Sequence, residues 1–297
     1  MTPGLAPLLA YSVQIAIVVL VAQLAVGASR VSLPSVRLAY WRGVGLTCLA
    51  LPFLPVIPSD HFTATVAFGI ASTPLMAFEP SSAPQTTTVG TVLMTVLAAG
   101  LVIRLVLLAF GLVRLRQMRR ESVPVNLNAA LSALRDDLAP DAELRWSDRI
   151  EQPVAFGVVS PVVLLPRRFA ELDEAAQQGV ACHELTHIAR HDWAWIVSEE
   201  IVRAIFWFHP AIAWVLSQVH LNREQVVDDL VVRRTGARNA YMCALLTFAD
   251  APPIGAPAVA LLRRHHLAAR IERLSKEVSM SRTRALRALC LLSLIHI

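Results

Sequence analysis

Apolar and polar positions divide this chain into two unlike parts. Residues 5–29, LAPLLAYSVQIAIVVLVAQLAVGAS, contain no charged side chain. As a helix rising 1.5 Å per residue, such a run can cross the ~30 Å hydrocarbon core of a bilayer. A cleaved signal peptide would carry a basic segment ahead of a shorter apolar run, so a true span is the better reading. A second apolar run covers 38–57 and ends in LPFLPVIP, where Pro52, Pro55 and Pro58 kink or stop a helix. A third, 89–113, is interrupted only by Arg104, a side chain that can snorkel or pair within a helix bundle. The pattern predicts three transmembrane helices within residues 1–114.

Beyond residue 114 the pattern changes. LNAALSALRDDL, 127–138, has the period of a short amphipathic helix. ELRWSD alternates as a strand does, and PVVLLP, 161–166, is a compact β-branched run between prolines. Gly157 ahead of it marks a turn or bulge. Asp173 as N-cap and Glu174 in the first turn predict a helix running to about Arg190. Residues 193–219 are apolar again, but Glu199, Glu200 and Arg203 break the run early and Pro210 breaks it late. Residues 115–284 thus read as a mainly α domain with a small β element. The stretch ALRALCLLSLIHI, 285–297, is too short to span and reads as the start of a truncated fourth transmembrane helix.

Composition supports lipid contact. Of 297 residues, 55% are hydrophobic and 16% charged, against about a quarter charged in soluble domains. The net charge of +5 is mostly arginine, and its placement gives a direction. Arg30, Arg37 and Arg42 lie between the first two runs, whereas 58–88 holds Asp60 and Glu79 and no Lys or Arg. Arg114, Arg116, Arg119 and Arg120 follow the third run. By the positive-inside rule the N-terminus is outside, 58–88 is an extracytoplasmic loop, and everything after 114 is cytoplasmic, in a multi-pass protein of the cell membrane. Arginines beside apolar runs suit a membrane surface, so no direct nucleic-acid binding is expected. The four cysteines, Cys48, Cys182, Cys243 and Cys290, form no CxxC pair and suggest neither a disulfide framework nor a thiolate zinc site.

One stretch carries candidate chemistry: VACHELTHIARHD, 180–192. At i and i+4, His183 and His187 project from one helix face with β-carbons ~6 Å apart, and their rings can converge on one Zn²⁺. Glu184, turned about 100° around the helix, can take a proton from an attacking water without binding the metal. Alone, the motif leaves a hydrolytic centre and a polar helix face equally open. A hydrolytic zinc needs a third protein ligand. Downstream, LNREQVVDDLVVRRTG places Glu224 and Asp228 four apart. Glu224 could complete the set and Asp228 could hydrogen-bond a ligand histidine. By spacing alone, pairing of these acids with Arg223 and Arg233 on a solvated face is the better reading.

HELTH, IARHD, FWFHP and REQVVDD, in that order, with PVAFGVVSPVVLLP upstream, resemble the BlaR/MecR-type integral-membrane zinc metallopeptidases. The resemblance covers roughly residues 1–284. It implies a cytoplasmic gluzincin-like domain with one Zn²⁺ per chain, held by His183, His187 and Glu224. It also implies Glu184 as general base and Asp228 in support. The stretch holding Gly157, Pro161, Leu164 and Leu165 would be an edge strand that pairs with an extended substrate. Val227 stands where many relatives have cysteine or alanine. Better-known members also carry an extracellular penicillin-binding domain after a fourth span; this sequence stops before any such domain, so the resemblance implies no β-lactam ligand.

The remaining histidines fit other roles. His191 lies ~12 Å along the helix from His183, too far to share a metal. His220 could compete as third ligand, although the resemblance favours Glu224. His209 precedes Pro210 at a helix break, and His265 and His266 have basic neighbours that repel a cation. Cys182 turns toward packing. If the metal site forms, 193–219 cannot cross the membrane, because crossing would separate Glu224 from His183. That segment therefore reads as a helix pair packed on the domain and dipping into the inner leaflet. The resulting expectation is a membrane-embedded zinc endopeptidase relaying an external signal by cleaving a cytoplasmic protein such as a transcriptional repressor. A membrane quality-control or processing protease, and a non-proteolytic receptor with structural zinc, are the alternatives.

Overall fold

A computed structural model describes residues 5–29, 31–53, 86–249 and 257–276. The chain is mostly helical. Helix α1 spans Leu5–Ser29, α2 Pro34–Ala50 and α3 Thr86–Glu121. Two stretches are long and apolar enough to cross a membrane, Pro7–Ser29 and Gly90–Glu121. The second helix departs from the 38–57 expectation. It begins at Pro34, whose fixed φ and missing N–H suit the first turn. It gives way at Pro52 to a single 3-10 turn, Leu51–Phe53. With 17 residues, α2 is shorter than the ~20 a span needs. Residues 54–57, most of the expected loop 58–88, and the expected span at 285–297 lie outside the described residues.

The polar part opens with β1 (Val123–Pro124), α4 (Ala129–Leu138), β2 (Glu143–Trp146), β3 (Val154–Phe156) and β4 (Val162–Leu165). Asn128 caps α4, its Oδ1 accepting from the Leu131 N–H at 2.8 Å. The strands form one sheet in the order β1-β2-β4-β3, with β2 and β4 parallel and the outer pairs antiparallel. All four residues of β4 are fully buried, as a continuous apolar run in an interior strand should be. The edge-strand expectation for 161–166 is therefore corrected. Leu164 and Leu165 belong to the sheet interior, and the free edge on that side is β3. Gly157 follows β3 at φ +100, and a Cβ there would lie 2.7 Å from the Ser160 carbonyl oxygen, so the turn requires glycine.

Helix α5 runs Glu174–Ala189, capped by Asp173, whose Oδ1 accepts from the Ala176 N–H at 2.7 Å. It is followed by α6 (Asp192–Ile205), α7 (Pro210–Thr235), α8 (Arg238–Ala249) and α9 (Pro257–Ser275). Helices α6 and α7 form the expected pair, and their turn reaches deep among the apolar helices. Trp207 Nε1 donates to the Leu97 carbonyl of α3 at 3.3 Å, and His209 Nε2 to the Ser12 carbonyl of α1 at 3.2 Å. Ser12 stands about 25 Å along α1 from its Ser29 end, so the turn of the hairpin packs well along the length of α1. Gly100 makes this docking possible, because a Cβ there would sit 2.3 Å from the Trp207 ring.

The first half of α7 shares a core with α1 and α2, in which Ile15, Trp41, Cys48 and Val215 are buried. Trp41 meets Trp214 edge-on at 5.0 Å. A second core joins Leu144, Val163 and Leu165 of the sheet to Val180 and Leu185 of α5 and Phe248 of α8. Helices α5 and α7 are thus each anchored in a different core, and they face one another between the two.

Candidate metal centre

His183 and His187 sit on the part of α5 that meets α7, where Glu224 faces them. The two Nε2 atoms are 3.2 Å apart. Glu224 Oε2 lies 3.4 Å from His183 Nε2, and Oε1 lies 3.6 Å from His187 Nε2. Ligands at 2.0–2.1 Å around a tetrahedral zinc are separated by about 3.3–3.4 Å, so this triangle has the size such an ion requires. Among the described residues this is the group of three that could hold a metal ion.

The backing of each imidazole fixes its tautomer. Tyr241 of α8 donates its hydroxyl proton to Asp228 Oδ1 at 2.6 Å, and its oxygen lies 2.7 Å from His183 Nδ1. Having given its one proton to the carboxylate, that oxygen accepts from His183 Nδ1–H. His187 Nδ1 donates to Asp192 Oδ2 at 3.0 Å. Both Nε2 atoms then present bare lone pairs to one another and to a carboxylate. Three acceptors converging without a shared proton form a donor set that fits a cation.

Asp228 supports His183 differently from the expected direct bond. Its Oδ1 is 3.6 Å from His183 Nδ1, with the Tyr241 hydroxyl interposed. Arg270 of α9 completes this side, with Nε and Nη2 donating to Asp228 at 2.8 and 2.7 Å and Nη1 lying 3.1 Å from Glu224 Oε2. The alternative pairing of Glu224 and Asp228 with Arg223 and Arg233 is not observed. Arg223 is buried against Glu199, and Arg233 approaches Asp229.

On the other side, His191 adopts φ 54, ψ 32 and turns the chain from α5 into α6. That turn folds Asp192 back beneath His187. Asp192 Oδ2 also accepts from Arg190 Nε at 3.1 Å, while Oδ1 stands 3.9 Å from Arg42 Nη2 of α2. Arg42 also lies over the Trp195 ring of α6 at 4.3 Å.

Burial and neighbouring charge shift several groups of this cluster. Burial opposes the Glu224 charge, yet Arg270 and the two imidazoles hold its carboxyl well below the usual carboxylate range. Burial also opposes the Arg270 charge, and Asp228 and Glu224 outweigh it, keeping the guanidinium firmly protonated. Burial and the Asp228 charge push the Tyr241 hydroxyl well above its ordinary value. For His187, burial lowers the pKa, but Glu224, Asp192 and Glu184 together raise it. Glu184 is half-buried one residue from His183. Among the described residues no hydrogen bond or ion pair engages its carboxylate, which leaves it free to accept a proton.

Of the other candidates, Cys182 is fully buried against Val227 and Tyr241. His220 remains outside the ligand triangle, its ring 5.4 Å from that of His266. Pro161 and Leu164–Leu165 are buried, and the main chain left free beside them is that of β3 and Gly157. Sequence reasoning missed Asp192, Tyr241 and Arg270. Asp192 closes the VACHELTHIARHD stretch and could have been read as support for His187. Tyr241 and Arg270 lie on later helices with no local signal.

Two imidazoles and a carboxylate from facing helices, beside an unengaged glutamate, make a group that could hold a metal ion. The family model for the BlaR1 peptidase M56 matches residues 6–274, and the chain belongs to that family. It is similar to the regulatory protein BlaR1 of Bacillus licheniformis, 28% identical over 92 residues, which cover 31% of this chain and 15% of that protein. It is also similar to the methicillin resistance mecR1 protein of Staphylococcus aureus, 28% identical over 91 residues, covering 30% and 16%. The matched stretch is thus under a fifth of either relative's length.

Proposed function

We propose that this chain is a membrane-embedded, zinc-dependent endopeptidase that relays an external signal by cleaving a cytoplasmic regulatory protein, such as a transcriptional repressor. Residues 1–114 make up its membrane part, and 115–284 its catalytic domain at the cytoplasmic face. The observation that carries this reading is the His183–His187–Glu224 triangle with Glu184 unengaged beside it. When bound, zinc supplies a Lewis acid that makes water nucleophilic near neutral pH and steadies developing negative charge. Glu184 accepts the proton of the attacking water and later returns it to the leaving amine. Tyr241 and Asp192 hold the two imidazoles in the tautomer that leaves Nε2 free. The free edge of β3, beside α5, aligns an extended substrate by main-chain pairing.

One contact favours signal relay over general quality control. Arg42 belongs to α2, among the apolar helices, and reaches toward the carboxylate that orients His187. A shift of α2 would therefore be felt at the metal.

The test compares wild type with Glu184→Gln, each co-expressed with a candidate repressor encoded nearby. Equal zinc content with cleavage lost in the variant is the expected result. Undiminished cleavage by Glu184→Gln would rule out the assigned base, and zinc-free protein that still cleaves would rule out the metal.

A further inference from the structure

Arg104 interrupts the apolar run of α3, and the metal site does not use it. Arg114, the next arginine along the helix, marks the headgroup level if α3 spans the membrane. Ten residues at 1.5 Å each put Arg104 about 15 Å from that level, half of the ~30 Å hydrocarbon core. The most apolar part of α3 buries none of its residues against the rest of the chain. Arg104 is exposed there, and among the described residues no hydrogen bond or ion pair engages it. An unpaired guanidinium at mid-bilayer is costly, so this side chain calls for a partner.

Arg104 lines an apolar cavity of about 450 Å³ between α3 and α6. Leu107, Leu108, Gly111 and Leu115 share that wall, at i+3, i+4, i+7 and i+11 from Arg104. This is the spacing of a stripe that packs against another helix. The stripe is covered at both ends. Trp207 lies against Gly100, one turn before Arg104, while Leu115 and Met118 pack with Ile150 and Phe156. Between these ends the face is open, and a Cβ on Gly111 would meet nothing within 4 Å. Gly111 and, across the cavity, Ala204 are small residues of the kind that let a helix approach closely. Glu200 and Arg203 of α6 also line the cavity, and Glu200 accepts from Arg203 Nε at 3.1 Å. The acid of the groove is thus engaged, which leaves the Arg104 charge in excess.

We infer that this groove docks a transmembrane helix of another protein, one that carries an Asp or Glu near mid-bilayer to pair with Arg104. The inference rests on the reading of α3 as a membrane span. Charge at that depth decides the occupant. A lipid acyl chain brings no carboxylate there. Nor do the apolar helices of a second copy, because α1, α2 and α3 hold no acid before Glu121. The docked helix lies against α6, whose first residue, Asp192, is the carboxylate behind His187. Occupancy of the groove would thus bear on one side of the metal centre.

The experiment reconstitutes the full chain in phosphatidylcholine vesicles with dansyl-labelled leucine–alanine transmembrane peptides that carry Glu, Gln or Leu at the centre. Energy transfer from the chain's tryptophans reads association. The Glu peptide is expected to bind roughly five- to thirty-fold more tightly than the Leu peptide. Arg104→Leu removes that preference and Arg104→Lys keeps it, with zinc content unchanged in both. Gly111→Leu, which fills the open face, weakens binding of the Glu peptide. Equal binding of the Glu and Leu peptides, or a Glu preference that survives Arg104→Leu, overturns the site. A Gln peptide that binds as tightly as the Glu peptide overturns the acid. Arg104-dependent displacement of the Glu peptide by added phosphatidylglycerol makes the occupant a lipid, and Arg104-dependent energy transfer between two labelled copies of the chain makes it a second copy. Either result overturns the assignment. Carbonate extraction of membranes separates the two readings. Retention of the chain without Glu preference overturns the groove alone, whereas release by carbonate overturns the spanning of α3 as well.

Discussion

His183 and His187 are four residues apart on one helix, yet unrelated parts of the molecule hold them. His183 is backed by Tyr241, Asp228 and Arg270, a chain of contacts through α7, α8 and α9. His187 is backed by Asp192, at the start of the hairpin that inserts among α1 and α3 and within reach of Arg42 on α2. One ligand is thus anchored in the polar domain and the other at its junction with the apolar helices. Each supporting carboxylate carries an arginine partner, but with different closeness. Arg270 grips Asp228 through two hydrogen bonds below 3 Å; Asp192 is held by its near neighbour Arg190 at 3.1 Å, whereas Arg42, its partner from the apolar helices, stands 3.9 Å away. The first side resembles a fixed mount. The second contains a gap that a small helix movement could close.

Because of this asymmetry, substitutions on the two sides differ in kind. The largest effect belongs to Arg270→Met. Removing a buried partner strands the charges of Asp228 and Glu224, which costs about 3–5 kcal/mol. Thermal unfolding of chelator-treated protein should show that loss, and a change under ~1 kcal/mol would mean that the α9 anchor is superficial. Next come Asp192→Asn and Tyr241→Phe, each expected to weaken zinc by roughly 10- to 100-fold because an imidazole loses its orienting partner. Competition with a fluorescent chelator measures both. If neither variant shifts the affinity, the ligand rings are oriented by packing alone. The smallest effect is expected for Arg42→Gln, a few-fold in zinc affinity, since a contact at this distance contributes ~1 kcal/mol or less. A signal-dependent activity that survives Arg42→Gln intact would remove α2 from the relay.

Much of the domain was legible from local chemistry. Asp173 caps α5 as its type and position predicted, and the helix ends at the Arg190 expected from the pattern. The β2 and β4 runs and α4 fall where alternation, β-branching and the amphipathic period placed them. The helix pair at 193–219, broken near Pro210, also followed from its charges and that proline. Other features misled. Prolines beyond residue 50 suggested a helix stop near 57, while Pro34 as a starting residue was overlooked. The resemblance implies an edge strand for the PVVLLP run, whereas its four consecutive buried residues mark an interior strand.

For the candidate centre, helical periodicity alone brings His183 and His187 onto one face, since 3.6 residues per turn leaves little choice. The same holds for Glu224 and Asp228 on α7. What no local rule supplies is the meeting of α5 with α7, or the arrival of Tyr241 and Arg270 from helices far along the chain. Those contacts depend on which apolar faces pack together, and many pairings are compatible with one hydrophobic pattern. Spacing within a helix is set by covalent geometry and backbone hydrogen bonds. The distance between two helices is set by the whole core, and there the ligand triangle and its backing were determined.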